Sequence, residues 1–349
     1  MNYIYFQLGH LRNLSKTPMT RKSAQNLLDK RKVMSKKVAI VGTGLIGRSW
    51  SIVFVRAGFE VWLWDPIDGA VSNAIKLIEK ELPNLAEGNL LNSCSVEQVF
   101  ARVHASNSLE DALDGADHMQ ENAPERVEVK QKLYQQIDQL VAPQTVLASS
   151  TSGIVASLFT ENLNAKEQCL VAHPINPPHL VPLVELVPTP WTAENVIDRT
   201  TKLMHQVSQA PIRLNQEIKG FVANRLQGAL LAEAFRLVED GVCSARDIDI
   251  SISEGLGLRW SFMGPFETID LNSPKGIRGY CENFGPLYYE LAKEQADPRI
   301  WRESLIAKVE QERRQDLAAD KLLNRQHWRN RRLALIVSTK KDGEAKLGK

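Results

Sequence analysis

The stretch VAIVGTGLIG at residues 38–47 joins an apolar, β-branched run to three glycines, Gly42, Gly44 and Gly47, in GxGxxG spacing. Such a run reads as a strand of a parallel sheet buried on both faces. Gly42 permits a tight turn, Gly44 leaves room for a pyrophosphate against the backbone, and Gly47 lets the next helix pack on the strand. That helix opens at Leu45 and Ile46, so its unsatisfied N–H groups point at the phosphates. The following run, FEVWLWD at 59–65, ends in Asp65, 18 residues beyond Gly47. A carboxylate there accepts hydrogen bonds from an adenosine ribose. It also repels a 2′-phosphate, and Pro66-Ile67-Asp68 offers no compensating cation, so NAD is expected over NADP. FAD, which uses a related fingerprint, is the alternative cofactor.

Outward from that motif the chain alternates strand-like runs with helix-length segments. The runs are KVAIVG at 37–42, then 59–65, ARVHAS at 101–106, DHMQEN at 117–122, TVLASS at 145–150, QCLVAH at 168–173 and PLVELV at 182–187. This pattern predicts an α/β Rossmann-type, doubly wound, mostly parallel sheet. The long connector from Asp68 to about Gln98 carries Ile75, Leu77, Ile78, Leu82 and Leu85, which suggests an inserted helix pair. After PIRL at 211–214 the text turns helical, beginning with GFVANRLQGALLAEAFRLVEDG at 220–241. The expected division is a basic leader at 1–36, a nucleotide-binding domain at 37–215 and an all-α domain at 216–349 that carries substrate and dimer contacts. The Arg-rich end (Arg325, Arg329, Arg331, Arg332) reads as an arm or a disordered tail.

Composition excludes several classes. With 349 residues, 43% hydrophobic and 24% charged, the chain is globular and long enough for about two domains. A formal charge of +2 gives no reason to expect nucleic acid or an anionic membrane, so a small-molecule partner is expected. The charge is uneven, since residues 1–37 carry nine basic side chains against Asp29 alone. That leader resembles an organelle transit peptide, but Met34 sits just before the first strand, and a non-native or overlong start is the preferred reading. No 18-residue apolar span is present, and a cytoplasmic location is expected. Cys94, Cys169, Cys243 and Cys281 lie 75, 74 and 38 residues apart, which implies neither zinc nor a disulfide framework.

The reacting groups lie late in the nucleotide-binding part. His173 closes the run QCLVAH and precedes the rigid Pro174, Asn176, Pro177 and Pro178, which puts it at the carboxyl edge of a strand, where open α/β sheets bind ligands. Twelve residues on, Glu185 interrupts the apolar run PLVELV, and a carboxylate inside such a strand needs a partner. An imidazole is the obvious one. A His–Glu pair suits alcohol oxidation: the carboxylate fixes the tautomer while the free ring nitrogen takes the hydroxyl proton.

The segments SSTSG (149–153), AHPINPP (172–178), LVELVP (183–188), KGFVANRL (219–226) and SFMGPFE (261–267) together resemble the L-3-hydroxyacyl-CoA dehydrogenase family, in order along the chain. Within it, GFVANRLQ, EAFRLVEDG, SEGLGLRW and RQHWRN are most similar to the L-gulonate 3-dehydrogenase (lambda-crystallin) branch. The resemblance implies a catalytic pair at His173 and Glu185 and two substrate-polarising groups at Ser152 and Asn224. It implies NAD contacts from the ENAPE run, at Glu121 and Glu125, with Lys130 on the next helix. A Glu and a Lys so placed are equally what a solvated first helical turn contains. Asn176 is expected to shape the loop of the base.

Two departures bear on substrate. Pro174-Ile175 stands where enzymes acting on CoA esters usually have two aromatics, and GLGLRW adds Arg259 before SFMGPFE. A guanidinium matches a free carboxylate bidentately and a thioester has none, so Arg259 is expected to select a free 3-hydroxy acid. Its bland alternative is a structural salt bridge. The competing functions are oxidation of a 3-hydroxyacyl-CoA, a carnitine-type dehydrogenase, a 3-hydroxyisobutyrate-type enzyme using Lys219, and a non-catalytic, crystallin-like structural protein.

Overall fold

The computed structural model describes residues 37–348, and the basic leader expected at 1–36 lies outside them. One eight-stranded sheet has the order β3-β2-β1-β4-β5-β6-β7-β8. Its strands are β1 (Lys37–Val41), β2 (Glu60–Trp64), β3 (Val103–Ala105), β4 (Ala116–Glu121), β5 (Val146–Ser149), β6 (Cys169–Pro174), β7 (Leu183–Pro188) and β8 (Ala210–Arg213). The first six run parallel, as expected of strands fed by crossovers. β7 turns back against β6, and β8 follows it. The cause is length: residues 175–182 link β6 to β7, and a parallel crossover needs a dozen residues or more. Most of the sheet lies between two apolar layers, one on each face.

Helix α1 (Leu45–Arg56) follows the glycine turn and is buried almost all round from Gly47 to Arg56, with Trp50 and Phe54 fully enclosed and stacked 5.6 Å apart. Enclosing each of these rings contributes about 1.5–3 kcal/mol. The inserted connector is α2 (Ala70–Glu87), which buries Ala74, Ile78, Leu82 and Leu85 at helical spacing, and the short α3 (Val96–Phe100), which Ser95 caps in a capping box with Gln98. The remaining crossovers are α4 (Leu109–Leu113), α5 (Val127–Asp138), α6 (Ser157–Thr160) and α7 (Glu194–Gln206).

Beyond β8 every regular element is helical: α8 (Ala223–Glu239), α9 (Ala245–Ile250), α10 (Gly257–Trp260), α11 (Pro265–Leu271), α12 (Gly276–Glu294), α13 (Glu303–Asp316) and α14 (Leu322–Leu347), with a π-helical turn at Ser251–Leu256 and a 3₁₀ turn at Ala319–Lys321. Their own core is thin, with Val238, Ala245 and Leu305 the buried residues at its centre. Large apolar side chains stay in the open, Phe266 at 74% and Tyr289 at 64% exposed. The Arg-rich end is not a loose tail. It is α14, whose Ala334 joins the core of the sheet region beside Leu333 and Val337 and faces Gly88 at the end of α2. No helix among the described residues is long and apolar enough to cross a membrane.

Candidate active site

The glycine turn is built from backbone limits. Gly42 has φ +88°, and a Cβ there would lie 2.8 Å from the carbonyl oxygen of Asn122. A Cβ on Gly47 would lie 2.0 Å from the carbonyl oxygen of Gly42, so β1 and α1 approach this closely only with glycine present. Gly44 has nothing within 4 Å of its Cβ direction and faces open space. No side chain caps α1 and no acid stands in its first turn, so the amides at Leu45 and Ile46 keep the positive helix end free for an anion. Asp65 sits at the exit of β2, where its Oδ2 accepts from the amide (2.7 Å) and hydroxyl (3.0 Å) of Thr43 and its Oδ1 from the Ile67 amide at 3.0 Å. Beside them lies a cavity of about 570 Å³ lined by Gly44, Asp65, Ile67, Asn122, Pro124 and Leu133, among others. Open backbone, a free helix end and a fixed carboxylate around an apolar slot fit a dinucleotide.

Reversal of β7 makes His173 and Glu185 direct cross-strand partners. His173 Nδ1 meets Glu185 Oε2 at 2.7 Å, with the histidine 4% exposed and the glutamate fully buried. The other carboxylate oxygen accepts from the amides of Val222 (2.7 Å) and Ala223 (2.9 Å) at the start of α8. Burial pushes the Glu185 carboxyl up, but the bonds from His173, Ala223 and Val222 outweigh it and hold it below the usual range. Phe221 packs on the imidazole, ring centroids 5.4 Å apart, and is fully enclosed with φ +52°. A bulky residue in the left-handed region marks local strain held in place by its surroundings.

Asn224 follows directly on α8, and its Nδ2 donates to the carbonyl oxygen of Ser152. Hydrogen bonds therefore link Ser152, Asn224, the start of α8, Glu185 and His173 in one run. The Ser152 hydroxyl and His173 Nε2 have no hydrogen-bond partner among the described residues. Asn176 is exposed in the loop after the histidine.

In the ENAPE run and the helix after it, the structure departs from a solvated first turn at Lys130. Lys130 is 1% exposed and not part of a solvated first turn; its ammonium donates to both oxygens of the fully buried Glu121, at 2.8 and 3.0 Å. Glu125 turns to the serine loop, its Oε1 accepting from Thr151 Oγ1 and the amides of Ser152 and Gly153. Arg259 is exposed on α10 and makes no ion pair among the described residues, so the structural salt bridge is absent; no hydrogen bond joins it to the His173 run. Thr43, Thr151 and Phe221 escaped sequence reading, because a threonine in a loop or a phenylalanine after glycine carries no local signature of its partner.

Comparison with known proteins gives the context. Residues 37–218 match the profile described as 3-hydroxyacyl-CoA dehydrogenase, NAD binding domain, and residues 220–314 that of 3-hydroxyacyl-CoA dehydrogenase, C-terminal domain. The chain is 41% identical to a lambda-crystallin homolog of Rattus norvegicus over 84% of its own length and 92% of the relative's. It is 38% identical to an L-carnitine dehydrogenase of Oceanobacillus iheyensis over 72% of its length and 81% of that protein's. Among solved structures, an (S)-3-hydroxybutyryl-CoA dehydrogenase from Ralstonia eutropha is similar at TM-score 0.60 and 26% identity, covering 75% of this chain and 90% of that one.

Proposed function

The chain belongs to the 3-hydroxyacyl-CoA dehydrogenase family and is an NAD-dependent oxidoreductase, and from that premise we propose that it oxidises the 3-hydroxyl of a small free 3-hydroxy acid, L-gulonate or a close analogue, to the 3-keto acid. The observation that carries this reading is the 2.7 Å contact between His173 Nδ1 and Glu185 Oε2. An ionised carboxylate on Nδ1 keeps the proton there and leaves Nε2 as the base. Nε2 takes the hydroxyl proton, and Glu185 stabilises the imidazolium that forms. Bound NAD, held by Gly42, Gly44, Leu45, Ile46, Gly47 and Asp65, supplies the hydride acceptor. The Ser152 hydroxyl holds the substrate oxygen, and the second N–H of the Asn224 amide, the first being spent on Ser152, reaches the same atom. Asn176 shapes the loop behind the base.

Arg259 is the selecting residue for a free carboxylate: a guanidinium with no acid of its own among the described residues is ready for a bidentate partner. The exposed apolar side chains of the helical domain, 216–349 by our division, make it the face of a homodimer. Free cysteines throughout fit a reducing cytoplasm. A 3-hydroxyacyl-CoA is the second reading, favoured by the name of the matched profiles.

NAD reduction measured with L-gulonate, L-3-hydroxybutyrate and 3-hydroxybutyryl-CoA, in the parent and in Arg259→Ala, separates the two. The free acids should turn over best and lose about tenfold or more in kcat/KM in the variant, as expected for a charge-assisted bidentate contact. Turnover of the CoA ester alone, unaffected by the substitution, would overturn the substrate assignment.

A further inference from the structure

Gln120 on β4 is fully buried, and its side chain has no part in the chemistry just described. A buried amide is costly unless its hydrogen bonds are made. β5 lies between β4 and β6 and ends at Ser149, opposite Val171, so the Gln120 side chain reaches past that end to β6, where its Nε2 donates to the carbonyl oxygen of Ala172 at 3.3 Å. Ala172 is the residue before His173. The same nitrogen donates to Ser150 Oγ at 2.7 Å, and that hydroxyl also receives the Trp50 indole at 3.0 Å and donates to Asn122 Oδ1 at 2.8 Å. A carbonyl only accepts and an indole N–H only donates, so one proton arrangement satisfies the set. The amide nitrogen faces Ala172, the amide oxygen takes the His118 Nε2 proton at 3.0 Å, and the serine spends its single proton on Asn122. Asn122 in turn donates its backbone N–H to the Val41 carbonyl at 2.7 Å and lays its own carbonyl against Gly42, where a Cβ would lie 2.8 Å away.

We infer that Gln120 is a positioning residue for His173, holding the peptide in front of the base in register with the glycine turn through Ser150 and Asn122. The inference rests on the proposed role of His173. Glu185 and Phe221 hold the imidazole itself, and the Gln120 bond holds its backbone from the opposite side of the strand pair. A fully satisfied buried network rigidifies the groups it joins. Methionine at this position would keep the length and the apolar contacts of the side chain but remove the donor to Ala172, so the peptide before His173 would lose its tie to the turn.

The test is a double-mutant cycle over Gln120→Met, His173→Ala and the double variant. kcat and KM are measured with whichever of L-gulonate and 3-hydroxybutyryl-CoA the parent turns over, and NADH affinity by fluorescence. Gln120→Met should lose about tenfold in kcat, as a reacting group held slightly out of place does, with KM and NADH affinity within about twofold of the parent. The double variant should be no slower than His173→Ala, because the two act through one group. A general loosening of the fold would instead slow both backgrounds alike. Parental kcat in Gln120→Met, weakened NADH binding with kcat retained, or losses that multiply in the double variant would overturn the inference. Should His173→Ala alone keep parental turnover, the proposed role of His173 fails, and that arm identifies it. Should Gln120→Met not fold, Gln120→Glu, which keeps an acceptor for His118 but faces Ala172 with an oxygen, carries the same cycle.

Discussion

Glu185 divides its two oxygens between the His173 imidazole and a helix, and this division makes the candidate site a product of both parts of the chain. One oxygen orients His173; the other is held by the first amides of α8, whose next residue is Asn224. At Asp65 the same economy holds, since Thr43 fixes the carboxylate against the glycine turn. Asp65→Ala should therefore relax the preference for NAD, lowering the NAD/NADP ratio of kcat/KM by about tenfold or more, because loss of the repelling charge admits a 2′-phosphate. An unaltered ratio would contradict the ribose assignment. At this scale the sequence was most informative where a residue type violates its surroundings, as a glutamate does inside LVELV. It was least informative for Lys130, because a Glu-Lys pair opening a helix looks the same whether it faces water or the buried end of β4.

Among the elements, β4 carries the strongest internal contradiction: its inward His118 and Gln120 lie in an apolar sheet, His118 against Phe54 at 5.6 Å. His118 Nε2 meets Gln120 Oε1 at 3.0 Å, and Gln120 passes the network to Ser150, which also receives the Trp50 indole and donates to Asn122. Burial above all pushes the His118 imidazole down to about 4, so it is neutral in the fold. Between pH 6.5 and about 4 the unfolded chain binds a proton that the folded chain does not, so stability falls as pH drops through that window. The slope from this one group is about 1.4 kcal/mol per pH unit, or about 3 kcal/mol across the window. Urea unfolding at pH 7, 5.5 and 4.5 should show a shallower decline in His118→Leu than in the parent, and parallel declines would contradict the assignment. Strand positions were legible to within about two residues because apolar runs and glycines punctuate them. The reversal of β7 was not read from residue types, since its cause is the shortness of the 175–182 link.

For the whole molecule the imbalance lies in the helical region, where a thin core supports a wide apolar exterior. If that exterior is the homodimer face, sedimentation should give twice the monomer mass, and Phe266→Asp, at a side chain 74% exposed, should shift it toward the monomer without loss of fold. A monomeric parent would contradict the proposal. The helical character of this region was legible from spacing, but the return of α14 onto the sheet region was not. Its contact centres on Ala334 against Gly88, two small residues that allow close approach, with only Leu333 and Val337 packed beside them in a helix that is otherwise mostly polar.

On the proposed reading His173, braced by Glu185, removes the hydroxyl proton. The decisive measurement is the turnover of His173→Ala at saturating NAD and L-gulonate, with NADH affinity measured on the same preparation. A fall in kcat of about 10²–10⁴-fold with NADH affinity retained is the expected result. Full turnover in the variant would contradict it.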